Sequence, residues 1–309
     1  MIQRMQLGFR TFFKDKLAAA GLIVIILAFI AAVFAPWLAP YDPNSVAEGS
    51  TRLLPPGTEG HILGTDQQGR DILSRIIFGT RTSLITALIP VLVAMVASLV
   101  IGIVAGYFQG RLGNAIMRIM DVFFAFPAVL LAIAIAAILG PGLLNVIIAM
   151  IIVRIPYMTR VVYTDTVQES QKEYVEAAKA FGASKLEIMV KQIFPNVFPA
   201  LVVYGTTLAG VTIVTVAGLS FIGIGVQPPA ADWGRMASEG SKFLMQGHPF
   251  VTFMPGLAIV LLSLSFSVVG DGLRNAFDPY ERSKCKRVKV KAVEPVKSAK
   301  EGVGASNSL

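Results

Sequence analysis

Long runs without a charged residue alternate with polar segments along this 309-residue chain. Uncharged runs cover residues 17–38, 83–108, 122–153, 198–224 and 250–270. The third run is interrupted by Gly140-Pro141-Gly142, and this triplet predicts two helices in place of one. Since about 20 apolar residues of helix cross a bilayer core of about 30 Å, the pattern predicts six membrane-spanning helices.

The amino-acid composition is typical of a membrane protein. Hydrophobic residues make up 54% of the chain and charged residues 15%, with a mean hydropathy of +0.67. Soluble domains have about 25% charged residues. The first uncharged run is longer than the 7–15 apolar residues of a signal peptide and lacks an obvious cleavage site, so we interpret it as a retained span. The predicted fold class is therefore all-α, a polytopic protein with six transmembrane helices.

The distribution of basic residues predicts the orientation of the chain. With six spans, both termini lie on one side, and that side holds all but six of the 27 lysine and arginine residues. The positive-inside rule therefore places both termini in the cytoplasm. The net charge of +8 then reflects topology and does not indicate binding to nucleic acid. The six remaining basic residues are Arg52, Arg70, Arg75, Arg81, Arg235 and Lys242.

This topology divides the chain into three parts. Residues 1–16 form a cytoplasmic tail, residues 17–280 the transmembrane domain, and residues 281–309 a basic tail predicted to be disordered. The basic run 282–291 could contact anionic lipid headgroups or remain a solvated tail. The single cysteine, Cys285, excludes an internal disulfide and a cysteine-rich metal site.

The cytoplasmic segment of residues 164–197 contains signals for two short helices. Ser170 with Glu173 fits a capping box, Gly182 fits a helix C′ position, and Ser184 opens a second capping box. Pro195 is expected to end or kink the helix that follows. The pattern therefore predicts a helix, a tight glycine turn and a second helix.

Small residues mark the first of these helices. Ala177 and Ala178 would let another surface approach closely, and Glu176 places one charge beside them. A short capped helix outside the membrane suits docking into a groove of a partner protein. Packing of an amphipathic helix on its own bundle explains the same pattern, and the residues alone leave both interpretations open.

This segment also carries a resemblance to a known family. The run Glu176-Ala177-Ala178, then Gly182, then Gln192-Ile193-Phe194-Pro195 resembles the E-A-A loop of permeases in bacterial ATP-binding-cassette importers. The family pattern ends Ile-x-Leu-Pro, so Gln192 and Phe194 depart from it. The resemblance implies that Glu176, Ala177, Ala178 and Gly182, with Pro195 in register, couple the chain to an ATPase.

Other segments narrow the resemblance over residues 10–280. Residues 64–75, the Asp232-Trp233-Gly234 motif and residues 270–279 look like the second (C) permease subunit of dipeptide, oligopeptide and nickel importers. The resemblance implies a type I importer permease fold in a bacterial inner membrane and alternating access. It also implies a homologous second permease, two cytoplasmic ATPases and an extracytoplasmic substrate-binding protein as partners. Expected substrates are di- or oligopeptides, with nickel chelates or glutathione-like peptides as further candidates.

Four charged residues lie in the outer loop that the family presents to its binding protein. The resemblance makes them candidates for that contact, but side chains at this spacing also pair with each other and cap a surface helix. The four are Asp66, Arg70, Asp71 and Arg75.

Arg154 is predicted to lie deep in the fourth span. It follows Leu143 by 11 residues, or about 17 Å along a helix. Arginines at that depth usually face protein or a water-filled path, so Arg154 could line the substrate pathway and attract carboxylates. Snorkelling to the cytoplasmic face or pairing with a neighbouring subunit would also explain it.

The sequence argues against chemistry within this chain. It has no Gly-x-x-x-x-Gly-Lys-[Ser/Thr] loop, so ATP and magnesium are expected in partner subunits and no cofactor here. Its two histidines, His61 and His248, do not make a metal site. An ion-gradient-driven secondary transporter predicts intramembrane carboxylates or repeats, and a membrane enzyme predicts a buried catalytic cluster. Neither pattern is visible, so a permease subunit is the preferred interpretation.

Overall fold

The structure is a computed structural model, and it describes residues 12–13, 15–46 and 52–277. Within these ranges the chain folds into helices and turns, and no strand is formed. Most of the predicted N-terminal tail and all of the predicted tail of residues 281–309, including Cys285, lie outside the described residues. The all-α prediction is confirmed.

The helices follow one another along a single bundle. In chain order they are α1 (Lys16–Val33), α2 (Ala35–Leu38), α3 (Ile72–Phe108), α4 (Gly110–Phe124), α5 (Ala128–Leu139), α6 (Leu143–Ser170), α7 (Glu173–Ala180), α8 (Lys185–Glu187), a π-helical segment (Ile188–Ile193), α9 (Phe194–Phe221), α10 (Trp233–Ser241), a 3₁₀ turn (Leu244–Gln246) and α11 (Phe250–Phe277).

Five helical stretches are long and apolar enough to cross a membrane. They are α1, α3, α6, the stretch Lys185–Phe221 that includes α9, and α11. The sixth predicted span is not a straight helix, because α4 and α5 meet at an angle of 86°. Counting this bent pair as one broken span gives the predicted six.

The bend corrects the predicted boundaries of the third span. Helix α5 has 12 residues, or about 18 Å, which is too short to cross a bilayer alone. The cause is Pro127, which has no backbone N–H and disfavours the helical conformation at Phe126. The break at Gly140-Pro141-Gly142 is confirmed: α5 ends at Leu139, and Gly140 and Gly142 have φ of 86° and 154°.

Small residues let α3 and α6 pack closely. A Cβ atom built on Gly102 would lie 2.6 Å from Cβ of Val162, and one on Gly106 would lie 2.6 Å from Cβ of Thr166. Side chains at these two positions would push the helices apart. Two glycines four residues apart therefore form a close contact along one face.

Helix α3 begins well before its uncharged run. Its 37 residues extend over roughly 55 Å, which exceeds the bilayer core, so its first turns project beyond the membrane. Asp71 is its N-cap, and the carboxylate of Asp71 accepts a hydrogen bond from the amide of Ser74 at 2.8 Å. Arg81 donates to the carbonyl of Ala32 at 3.0 Å, which ties α3 to the end of α1.

Candidate functional site

Helix α7 lies at the end of the bundle where α6 ends and α9 begins. The predicted capping box at its start is wrong, because Ser170 is the last residue of α6 and its hydroxyl donates to the carbonyl of Val167 at 2.9 Å. Lys172 is the N-cap of α7 and makes no side-chain capping bond. Glu173 and Glu176 lie in the first turn of α7 and nevertheless stabilise its N-terminus, because a helix N-terminus carries a partial positive charge.

The end of α7 follows the prediction. Gly182 has a φ of 81°, and its amide donates to the carbonyl of Lys179 at 3.0 Å. The amide of Ala183 donates to the carbonyl of Ala178 at 3.0 Å. This pair of bonds is the Schellman motif, which needs a left-handed residue at the C′ position. Glycine is required here because of its positive φ and not for lack of space, since nothing lies within 4 Å of a Cβ built on it.

The second capping box is confirmed. The hydroxyl of Ser184 accepts from the amide of Glu187 at 3.2 Å, and the carboxylate of Glu187 accepts in turn from the amide of Ser184. Pro195 does not end the helix, as one of the two predicted alternatives would require, because the chain stays helical from Lys185 to Phe221. Pro195 stands in the first turn of α9, directly after the π-helical segment, where a missing N–H is tolerated.

Helix α7 is anchored on one side and open on the other. Val175 is fully buried and Ala178 is half-buried against the bundle, whereas Glu176 and Ala177 are exposed. Phe181, at the end of the helix, is 92% exposed. An exposed phenylalanine beside a smooth alanine patch is typical of a surface that binds a partner. The sequence analysis missed Phe181, although its place directly before the turning glycine was a usable signal.

Contacts tie α7 and α8 to three longer helices. The hydroxyl of Tyr174 donates to the carboxylate of Glu169, the penultimate residue of α6, and accepts from the amide nitrogen of Asn196 in α9 at 3.2 Å. Burial, together with the hydrogen bond to Glu169, raises the pKa of Tyr174. Lys185 lies over the ring of Phe108 at 5.6 Å, at the end of α3. Helices α7 and α8 together therefore contact α3, α6 and α9.

The four charged residues of the outer loop lie at the opposite end of the bundle, and all of them are buried. The carboxylate of Asp66 accepts from Nε of Arg70 at 2.6 Å and lies 3.6 Å from Nε of Arg75, which is 1% exposed. Arg75 also donates to the carbonyl of Pro43 at 3.0 Å. The alternative interpretation, that these side chains pair with each other and cap a helix, describes their geometry. They offer no exposed surface to a partner.

Glu239 of α10 completes this network, and the sequence analysis missed it. Its carboxylate accepts from Arg70 at 3.1 Å, from Gln67 at 2.9 Å and from Arg235 at 3.0 Å. Burial alone would raise its pKa, but the bond from Arg235 and the charges of Arg70 and Arg75 hold the pKa of Glu239 below its ordinary value. We call Asp66, Arg70, Arg75, Arg235 and Glu239 the outer charge cluster.

Asp71 belongs to a neighbouring set of contacts. Its carboxylate lies 2.9 Å from Nδ1 of His61 and accepts from the hydroxyl of Ser74 at 2.7 Å. The oxygen of Ser74 in turn accepts from the amide of Tyr41 at 3.1 Å. In the part of the chain that the structure describes, no three His, Cys, Asp or Glu residues come close enough to hold a metal ion. The contact of His61 with Asp71 ties the loop to the start of α3.

Arg154 lies inside the bundle between α6 and α9 and is 5% exposed. Its Nε donates to the hydroxyl of Thr212 at 3.1 Å and its Nη2 to the hydroxyl of Thr215 at 3.3 Å. The guanidinium thus contacts the neighbouring helix and does not snorkel to the membrane surface.

Comparison with known proteins agrees with the geometry. Residues 98–283 match the family model described as the binding-protein-dependent transport system inner membrane component, and residues 3–56 match the N-terminal TM domain of oligopeptide transport permease C. The chain is 40% identical over 270 residues to the glutathione transport system permease protein GsiD of Escherichia coli O6:K15:H31 (strain 536 / UPEC), covering 87% of this chain and 88% of GsiD.

A second relative is named for a different substrate. The di/tripeptide transport system permease protein DppC of Pseudomonas aeruginosa (strain UCBPP-PA14) is 39% identical over 274 residues, covering 87% of this chain and 90% of DppC. The two relatives therefore match this chain almost equally well and over nearly the same length.

Proposed function

The chain belongs to the family of binding-protein-dependent transport system inner membrane components, and from this membership we infer its place in an importer. It is a membrane permease subunit of an ATP-binding-cassette importer and not an enzyme, since ATP hydrolysis lies in partner subunits. We propose that it pairs with a homologous permease, two cytoplasmic ATPases that bind ATP and magnesium, and an extracytoplasmic binding protein. Both termini then lie in the cytoplasm of a bacterial cell.

The proposed substrates are short peptides. One relative is named for glutathione and another for di- and tripeptides, at 40% and 39% identity. Glutathione is itself a tripeptide, so the chemistry that both names share is a small peptide with a free carboxylate. Nickel chelates remain a further candidate from the family resemblance.

Coupling to the ATPase is assigned to α7. The supporting observation is a short helix that is capped by a Schellman motif, anchored by Val175, and exposes Glu176, Ala177 and Phe181 on its free side. In this proposal Phe181 enters an apolar groove of the ATPase, Ala177 permits close approach, and Glu176 supplies a charge for a basic partner. Gly182 holds the turn, and Pro195 starts the span that receives the movement.

The binding protein is proposed to dock at the opposite end. Asp66, Arg70, Asp71 and Arg75 would act there by holding the loop in shape, because their side chains are buried. Contact would fall to exposed apolar residues of the same end, Ile62 and Met245, which are 67% and 98% exposed. An exposed methionine is an adaptable contact residue.

The coupling assignment can be tested by purifying the complex of Gly182→Ala. A side chain at a φ of 81° is strained, so α7 should lose its turn and the ATPases should no longer co-purify. Gly247→Ala is a matched control, because Gly247 has a φ of 86°, equally open surroundings and a place at the other end of the bundle.

The same purification separates the rival functions. Retention of the ATPases by Gly182→Ala would contradict the assignment to α7. A wild-type chain that runs without any ATPase, and that transports solute in response to an ion gradient, would support the alternative of a secondary transporter.

A further inference from the structure

Arg154 lies where an unpaired charge is costly. Arg154 lies 11 residues after the start of α6, and Thr212 lies nine residues before the end of α9. Their contact is therefore about 14–17 Å along the helix axis from the start of α6 and from the end of α9. This is close to the middle of a bilayer core of about 30 Å. An arginine held at this depth indicates a polar function, since an apolar residue would pack there at lower cost.

The two threonines that contact Arg154 are oriented to accept and not to donate. The hydroxyl of Thr212 donates to the carbonyl of Leu208 at 2.6 Å, and the hydroxyl of Thr215 donates to the carbonyl of Val211 at 2.8 Å. Each hydroxyl proton is therefore used within α9, and the oxygen lone pairs face the guanidinium. The threonines fix the direction of Arg154 but carry no charge that could neutralise it.

No counter-charge is supplied by the described part of the chain. The phenols of Tyr204 and Tyr157 lie in the neighbourhood of Arg154, and no carboxylate among the described residues forms an ion pair with it. A guanidinium has five N–H donors, and two are used by the threonines, so three are left for another acceptor. Arg160, six residues further along α6, differs because it pairs with Asp121.

The surroundings of Arg154 open towards one edge of the bundle. Tyr157, Tyr204 and Thr215 are half-buried, and Val211 and Val214 on the same helix as Thr215 are exposed. On α6, Arg154 and Tyr157 lie three residues apart and so share one face. This polar face extends from mid-membrane towards the α7 end of the bundle.

We propose that Arg154, held by Thr212 and Thr215, binds the carboxylate of the peptide substrate during its passage, with Tyr157 and Tyr204 beside it as phenolic donors. A carboxylate fits because guanidinium binds it through paired, charge-assisted hydrogen bonds, and three N–H donors remain. This inference rests on the proposed function, since a free carboxylate is the group that glutathione and di- and tripeptides share. A carboxylate of the second permease is the competing partner.

The test compares trialanine with trialanine amide in proteoliposomes that contain the whole importer. Binding of each peptide to the binding protein is measured separately, and uptake is compared at equal loading of that protein. In Arg154→Gln, uptake of the acid should fall about tenfold or more while uptake of the amide changes little, because a charge-assisted bond is lost only for the acid. Arg154→Lys should keep part of the preference, and Thr212→Val should weaken it.

Arg160→Gln is the matched control, since Arg160 lies on the same helix but already has a carboxylate partner. It should leave the ratio of acid to amide uptake unchanged. Equal loss of both peptides in Arg154→Gln, unchanged uptake of both, or loss of the second permease on purification would overturn the proposal. Failure of the wild-type complex to import any peptide would instead overturn the proposed substrate class.

Discussion

Helix α7 and the outer charge cluster carry similar signals in the sequence, but their charged side chains end in opposite environments. Glu176 of α7 is exposed, and the described residues give it no ion pair. Asp66 in the cluster is 4% exposed and lies between two arginines. Both segments connect membrane spans, and both contain helix caps.

The difference lies in whether the fold brings complementary charges together and buries them. In the outer loop, Asp66, Arg70 and Arg75 lie close in sequence and meet Glu239 and Arg235 of α10, so the charges neutralise each other and can be buried. Glu176 lies within about one turn of Lys172 and Lys179, but the described residues form no ion pair with it and its carboxylate stays in water. A charged loop therefore predicts a binding surface only where the rest of the fold leaves its charges unpaired.

The strongest test of this comparison is Asp66→Ala. Removing this carboxylate leaves Arg70 and Arg75 buried with less compensation, and we expect a loss of about 3–5 kcal/mol in the free energy of unfolding. Thermal unfolding of the purified permease in detergent measures the effect. Asp121→Ala is the control, because its pair with Arg160 is exposed and worth about 0–1 kcal/mol. Equal shifts in the two variants would contradict a structural cluster.

Phe181→Ala tests the other side of the comparison. Its side chain is 92% exposed, so stability of the free subunit should not change, whereas affinity for the ATPase should fall by about 2 kcal/mol, or roughly 30-fold. The retained ATPase after washing, or a titration of purified ATPase, measures it. Leu186→Ala, another exposed apolar residue near α7, shows whether the effect is specific. An unchanged affinity would remove Phe181 from the contact.

Ser184→Ala should weaken the turn between α7 and α8 by about 1 kcal/mol, since it removes a helix cap. Hydrogen exchange at the amide of Glu187 measures the local effect. Ser170→Ala is the control, because it also removes a serine hydroxyl but one that does not cap α7. In this variant, hydrogen exchange at the amide of Glu187 should match the wild type. Faster exchange in both variants would mean that the capping box is not the cause.

The smallest effect at neutral pH is expected from titration of Glu239. Its pKa is lowered in the folded chain, so its stabilising contribution is complete above the ordinary carboxyl pKa of about 4.3 and is lost as pH falls through the lower folded value. Unfolding temperatures measured from pH 7 down to pH 3 should show this loss. In Glu239→Gln the unfolding temperature should depend less on pH. A curve identical to that of the wild type would assign the pH dependence to other groups.

Local features were predictable because they depend on neighbouring residues. The glycine turn at Gly182 follows from backbone sterics, the capping box at Ser184 from the spacing of two side chains, and the break at Gly140-Pro141-Gly142 from residues that cannot continue a helix. The misplaced cap at Ser170 shows the limit of this reasoning. Its spacing to Glu173 fits a cap, but α6 extends through it and uses its hydroxyl.

The sequence by itself thus determined that the chain spans a membrane, that a helix breaks at Gly140-Pro141-Gly142 and which short helix resembles a coupling element, since bilayer thickness and backbone geometry act on each segment separately. Only the tertiary structure decided which polar groups meet. Glu239 reaches Arg70 from 169 residues away, and Thr212 reaches Arg154 from 58 residues away. Such contacts depend on how whole helices pack, and no spacing within one segment records them.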